Sequence, residues 1–205
     1  MTILNVIGYI AMLIDHLGLL IFQDDIIFRI LGRAALPIFI YSVYSGLNKT
    51  NDVINYMKRV FIIAIISQPF YMLLVSNQLN ICFTIFFLIF LFSKIYIRYA
   101  YYIKILIVVL LFLDITEYGF LSLCLVFLFK IFKGKIKFNM IMLYLLLTSI
   151  CIYLYGYNYI QYFSTMSLFL IKIKILKYEI NLSRFLKYSI YPLHLFFLLI
   201  FLYFL

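Results

Sequence analysis

The run ICFTIFFLIFLF, residues 81–92, carries no charge and only one polar side chain, Thr84. Residues 195–205, LFFLLIFLYFL, are apolar throughout, and Ile38–Tyr44 and Ile105–Leu113 are similar. Such runs decide the fold class, because a soluble chain has no interior large enough to hide them all. Composition agrees. Hydrophobic residues make up 68% of the 205 positions, against roughly half in an ordinary soluble protein. Charged residues make up 12%, too few to coat a water-soluble particle. These figures exclude disorder, a collagen-like fibre and a small disulfide scaffold, and leave a polytopic membrane protein.

Interruptions of the apolar pattern predict nine spans, at about 3–22, 26–47, 59–75, 80–94, 100–113, 119–130, 139–155, 160–171 and 188–205. Several fall short of the roughly 20 residues that a straight spanning helix needs. Some are therefore expected to be extended by flanking Tyr, Ser and Asn, or to be half-spans packed inside the bundle. The expectation is an all-α transmembrane bundle forming one domain over 1–205. No cleaved signal peptide is expected, since the first apolar stretch is long and carries an Asp-His pair.

Charge placement sets the topology. Fifteen of the 17 basic residues fall in segments 48–59, 94–104, 130–138 and 172–187. The alternate connections, 23–25, 76–79, 114–118 and 156–159, hold no Lys or Arg but contain Asp24, Asp25, Asp114 and Glu117. The positive-inside rule then predicts a cytoplasmic N-terminus. The net charge of +10 becomes a topology and anionic-lipid signal, and a nucleic-acid partner loses its support. Cys82, Cys124 and Cys151 are isolated, odd in number and free of CxxC spacing, so neither a disulfide framework nor a metal site is expected.

Few ionisable residues remain inside the spans: Asp15, His16, Arg29, Arg33 and, near the cytoplasmic end of the last span, His194. Ionisable groups in hydrocarbon cost several kcal/mol and are functional candidates by default. Asp15 lies eight residues before Gln23 and Arg33 eight after Asp25, so both sit about 12 Å below the outer interface at 1.5 Å per residue. The short Gln23–Asp24–Asp25 link makes their helices antiparallel neighbours, and an Asp15–Arg33 ion pair, or a shared network with His16, is available. Arg29 follows on the Arg33 face at i,i+4 spacing. Two readings stay open: a charge pair that locks two helices, or a reaction chamber in which His16 is a general base beside Asp15. Gln68 before Pro69, Asn80 with Thr84, and Asp114 with Glu117 place further polar groups in the outer half, as helix caps or as ligands of one polar cavity. His194 follows Pro192 and is read either as an interface or bundle histidine held by a hydrogen bond, or as a residue that binds a ligand or takes part in catalysis.

These residues also carry a family resemblance. The stretches Met12–Gly18 (MLIDHLG), Arg29–Phe39 (RILGRAALPIF), Ile66–Phe70, Asn80–Thr84, Glu117–Gly119 and Tyr191–Leu195 (YPLHL), with Gly46, Thr50, Tyr56 and Arg59, resemble the TraX family of pilin acetylases. The likeness covers most of 6–84 and short islands beyond. The chain departs from the family pattern at Ser45, where an acidic residue precedes the glycine, and at Leu36, where an aromatic is usual.

The resemblance implies a bacterial cytoplasmic-membrane enzyme. It would acetylate the N-terminal amine of a pilin or other small exported peptide, with acetyl-CoA as co-substrate and no metal. On that reading the basic cytoplasmic loops receive the CoA phosphates. His16 takes the amine proton or carries the acetyl group, and Asp15 stabilises the imidazolium. Arg29, Arg33 and Asn80 face the developing oxyanion or a carboxylate. The competing class is a non-enzymatic transporter or a pilus assembly factor, although no Gly-interrupted inverted repeat favours a transporter.

Overall fold

The computed structural model of the chain describes residues 1–93, 99–181 and 183–204. Lys94 and Arg98, counted above in the second basic loop, lie outside the described residues, as does the side chain of Arg184. The described residues form ten α-helices and no sheet: α1 (Ile3–Leu20), α2 (Ile26–Gly32), α3 (Ala35–Lys49), α4 (Val53–Leu74), α5 (Ile81–Phe92), α6 (Ala100–Phe112), α7 (Gly119–Ile131), α8 (Phe138–Tyr155), α9 (Met166–Lys172) and α10 (Arg184–Phe204). The protein is an all-helical polytopic bundle.

Five segments are long and apolar enough to cross a membrane: α1, α2 with α3 as one stretch, α4, α8 and α10. The second of these is broken at Arg33–Ala34. Pro37 is the cause, since it has no N–H to donate back to the Arg33 carbonyl, yet is tolerated in the first turn of α3. Helices α5, α6 and α7, at 12 or 13 residues, reach only about 18–20 Å of the roughly 30 Å hydrocarbon core. The eighth predicted span is a 3₁₀ segment, Tyr159–Thr165, running into α9, which fits a half-span packed against protein. The last span begins at Arg184, four residues earlier than expected.

Large apolar side chains lie bare on the outside of the bundle, among them Leu73 on α4, Leu106 on α6, Leu146 on α8 and Phe197 on α10. A surface of this kind marks contact with lipid. Inside, Ile38, Ile40, Leu88, Leu111, Leu125 and Met140 are fully buried. The three cysteines are free.

Glycines allow a close contact between α1 and α2. A Cβ at Gly18 would collide with Phe28, and one at Gly32 would collide with the Asp15 side chain. Small residues let helix backbones approach in this way, and here they press α2 onto the acidic residue of α1.

The connections separate into two ends. At one, residues 1–3 pair with 178–180 through Ile3 N–H to the Tyr178 carbonyl (3.1 Å), and Lys49 meets Glu179 at 3.5 Å. At the other, the Gln78 amide donates to the Asp114 carbonyl (2.9 Å) and the Tyr157 hydroxyl to the Asp114 carboxylate (2.6 Å). The described parts of the basic loops lie at the first end and the acidic connections at the second. A single cysteine at exposed Lys135, in a background lacking the native three, is expected to resist an impermeant maleimide in intact cells and to label after lysis. Labelling in intact cells would invert the topology.

A buried charge cluster and histidine pair

Antiparallel packing of α1 on α2 brings the intramembrane charges together. Asp15 takes both arginines: its Oδ2 lies 2.9 Å from Arg29 and its Oδ1 3.4 Å from Arg33. Arg29 reaches on to Asp24 at 3.0 Å and donates to the Asp15 carbonyl at 3.3 Å. Arg33 is almost fully buried, and also donates to the Tyr118 hydroxyl and to Gln161 Oε1 (3.4 Å). The pair anticipated from depth is therefore present as a three-membered cluster.

His16 is not hydrogen-bonded to its neighbour Asp15 among the described residues. Its partner is His194, expected near the cytoplasmic end of the bundle. His16 Nδ1 lies 2.9 Å from His194 Nε2, with ring planes 6° apart. The reason for the difference is the earlier start of α10, which puts His194 ten residues into the helix, about 15 Å along its axis at 1.5 Å per residue.

The proton positions in this pair follow from one further contact. His194 Nδ1 lies 3.3 Å from the Ile190 carbonyl, which can only accept, so that nitrogen carries the proton. In the neutral ring His194 Nε2 is then an acceptor, and His16 Nδ1 must donate to it. His16 Nε2 keeps a free lone pair. That is the arrangement a general base requires.

Three cavities adjoin along the bundle. The one toward the acidic end has about 330 Å³ and is lined by Arg29, Gln78 and Asp114, among others. A narrow middle cavity has about 50 Å³. It shares Asp15, His16, Arg33, Glu117, Tyr118 and Gln161 with the first. A third, about 230 Å³, opens toward the basic end beside Lys187 and shares Phe39, Ile81 and Tyr191 with the middle one. His16 therefore faces the constriction between two chambers that approach from opposite ends.

The 113–118 loop forms one wall. Tyr118 has a left-handed backbone (φ 52°), uncommon for a residue with a side chain, and this conformation accompanies its reach to Arg33. Burial, then the Asp15 charge, pushes the Glu117 carboxyl up to about 7. The loop is anchored by neighbours: the Ile81 N–H donates to Glu117 (3.2 Å) and the Thr84 hydroxyl donates to the Glu117 carbonyl (2.8 Å). Asn80 caps α5 by accepting from Cys82 N–H (2.9 Å), its side-chain amide donates to the Ala64 carbonyl (2.9 Å) on the turn before Pro69, and its backbone N–H donates to Gln68 Oε1 (2.9 Å).

Of the sequence-selected residues, Asp15, His16, Arg29, Arg33, Asp114 and Glu117 line the adjoining cavities. Gln68, Asn80 and Thr84 line none of the three and hold the wall in place. His194 touches the site through His16.

A family model described as TraX protein matches residues 1–202. The chain belongs to the TraX family. No curated protein and no solved structure matches it. Sequence reasoning on this TraX-family protein missed Gln161, and gave no site role to Tyr118 and Tyr191 although both lie in stretches that carry the family resemblance. Each is a neutral polar residue in or beside an apolar span, which costs little and stands out little. For Tyr191 the i,i+3 spacing to His194, which puts both on one face of a helix, was a further signal.

Proposed function

We propose that this TraX-family membrane protein is an N-acetyltransferase, carrying acetyl from acetyl-CoA to the terminal amine of a pilin or another small exported peptide in conjugation. The observation that carries the reading is the chain of contacts from the Ile190 carbonyl through His194 to His16 Nδ1, from which His16 Nε2 is inferred to be unprotonated. It lies on a cavity that adjoins one chamber from each end of the bundle.

Acetyl-CoA is anionic and cytosolic, and the chamber beside Lys187 opens at the end where the basic loops gather. The acceptor peptide arrives through the opposite, polar chamber, where Gln161 leaves its amide nitrogen without a hydrogen-bond partner among the described residues. The neutral amine attacks the thioester carbonyl carbon, forming the C–N bond and placing the carbonyl electron pair on oxygen. His16 Nε2 takes the proton released from the amine nitrogen. Collapse of the tetrahedral species breaks the C–S bond, and the departing thiolate takes that proton back from His16. The products are the acetylated amine and free CoA thiol. Asp15 holds Arg29 and Arg33 in place instead of orienting the imidazole.

Purified protein in lipid nanodiscs, given labelled acetyl-CoA and a peptide with a free N-terminus, is expected to place label on that amine. A peptide with a formylated N-terminus should remain unlabelled. No transfer to any free amine would remove the enzyme reading in favour of a transporter or an assembly factor.

His194 should behave as a positioning residue. Loss of the partner that fixes a catalytic histidine's tautomer is costly, and His194→Ala is expected to lower kcat at least roughly tenfold. The KM for acetyl-CoA should barely move. His194→Gln, whose amide oxygen reaches about as far as Nε2, should restore part of the rate. A rise in KM with kcat unchanged would return His194 to donor binding.

A further inference from the structure

We infer that the Tyr191 hydroxyl is the hydrogen-bond donor to the thioester carbonyl, and hence to the oxyanion that forms from it. The inference rests on the acetyl-transfer reading above. Tyr191 is 4% exposed and lines both the middle and the basic-end cavities, a position it shares only with Phe39 and Ile81. Its buried hydroxyl has no hydrogen-bond partner among the described residues. Leaving a buried hydroxyl unpaired costs the desolvation of that group with nothing in return. Phenylalanine would fill the same space without that cost, so packing alone does not account for a tyrosine here.

Position supplies the rest. Tyr191 stands three residues before His194 on α10, with ring centroids 5.2 Å apart. One face of α10 thus carries the group that sets the base and a spare O–H donor. The orphaned Gln161 amide and Arg33 Nε belong to residues lining the acidic-end chamber, where the acceptor enters. Tyr191 alone pairs an orphan polar atom with the donor-side junction, among the described residues. As the amine nitrogen bonds to the carbonyl carbon, the C=O π pair moves to oxygen and accepts the Tyr191 O–H without transfer of that proton. The pair returns to carbon when the C–S bond breaks and the thiolate leaves, protonated by His16.

Tyr191→Phe tests this directly, since it removes only the oxygen. Removal of one oxyanion donor typically costs about 10²–10³ in kcat, and that loss is expected with the acetyl-CoA KM near wild type. The thermal midpoint should be unchanged or slightly raised, because the hydroxyl satisfies nothing in the unliganded fold. The carbonyl stretch of bound [1-¹³C]acetyl-CoA should lie lower in the wild type than in Tyr191→Phe. Full turnover in Tyr191→Phe with His16→Ala inactive would sink this inference and leave the base reading standing. Lost activity together with a lowered midpoint would make Tyr191 structural and overturn it. Wild-type turnover in both variants would overturn this inference together with the assignment of His16 as the base, whereas no transfer by the wild-type protein would remove the acetyl-transfer reading itself.

Discussion

His16→Ala is expected to abolish acetyl transfer, by roughly 10²-fold or more for loss of a general base, while binding of acetyl-CoA stays measurable. The argument is geometric. His16 is buried, its Nδ1 is committed to His194 at 2.9 Å, and it faces the constriction shared by the polar chambers. His16→Gln should not rescue, because an amide nitrogen offers no lone pair to accept a proton. Isothermal titration with acetyl-CoA, beside a single-turnover assay, separates binding from chemistry. Near-normal turnover in His16→Ala would move the base elsewhere, Glu117 being the first alternative. Its carboxyl, pushed up to about 7 by burial, lines the same two cavities.

The second large effect concerns the charge cluster, and it is asymmetric. Asp15→Asn removes the ion-pair partner of Arg33, which is 6% exposed and whose other hydrogen-bond partners among the described residues are the neutral Tyr118 and Gln161. Breaking a buried ion pair from one side costs about 3–5 kcal/mol. Arg33→Gln should cost less, since Asp15 keeps Arg29 at 2.9 Å. Arg29 in turn is less dependent on Asp15, because Asp24 lies 3.0 Å away. Depth alone predicts rescue by exchanging the two charges, as for an isolated pair. The structure predicts the opposite: an arginine at 15 would face Arg29, so the double exchange should be at least as unstable as Asp15→Asn. Thermal melting in detergent ranks the three variants. Equal midpoints for Asp15→Asn and Arg33→Gln, or rescue by the exchange, would show that the cluster acts as a simple pair.

Much of this molecule was legible in the chain. Apolar runs too long for a soluble core gave a helical membrane bundle, because lipid leaves the backbone no other way to satisfy its hydrogen bonds within a segment. Asp15, His16, Arg29 and Arg33 announced a site, because charge in hydrocarbon is too costly to persist without a partner. The three-residue link between α1 and α2 placed them side by side. The residues that resemble the TraX family were legible too, and the family model extends over the chain far beyond them.

Tertiary structure decided the partners. Asp15 is adjacent to His16 in sequence, yet successive helical side chains diverge by about 100°, so the carboxylate turned to α2 and the imidazole to α10. His194 joined the site because α10 begins four residues earlier than its apolar run, a helix start that hydropathy cannot locate among Arg184, Lys187 and Tyr188. Tyr118, Gln161 and Tyr191 entered from three separate elements. Their importance lies in which buried donors find no partner, and that depends on packing in three dimensions.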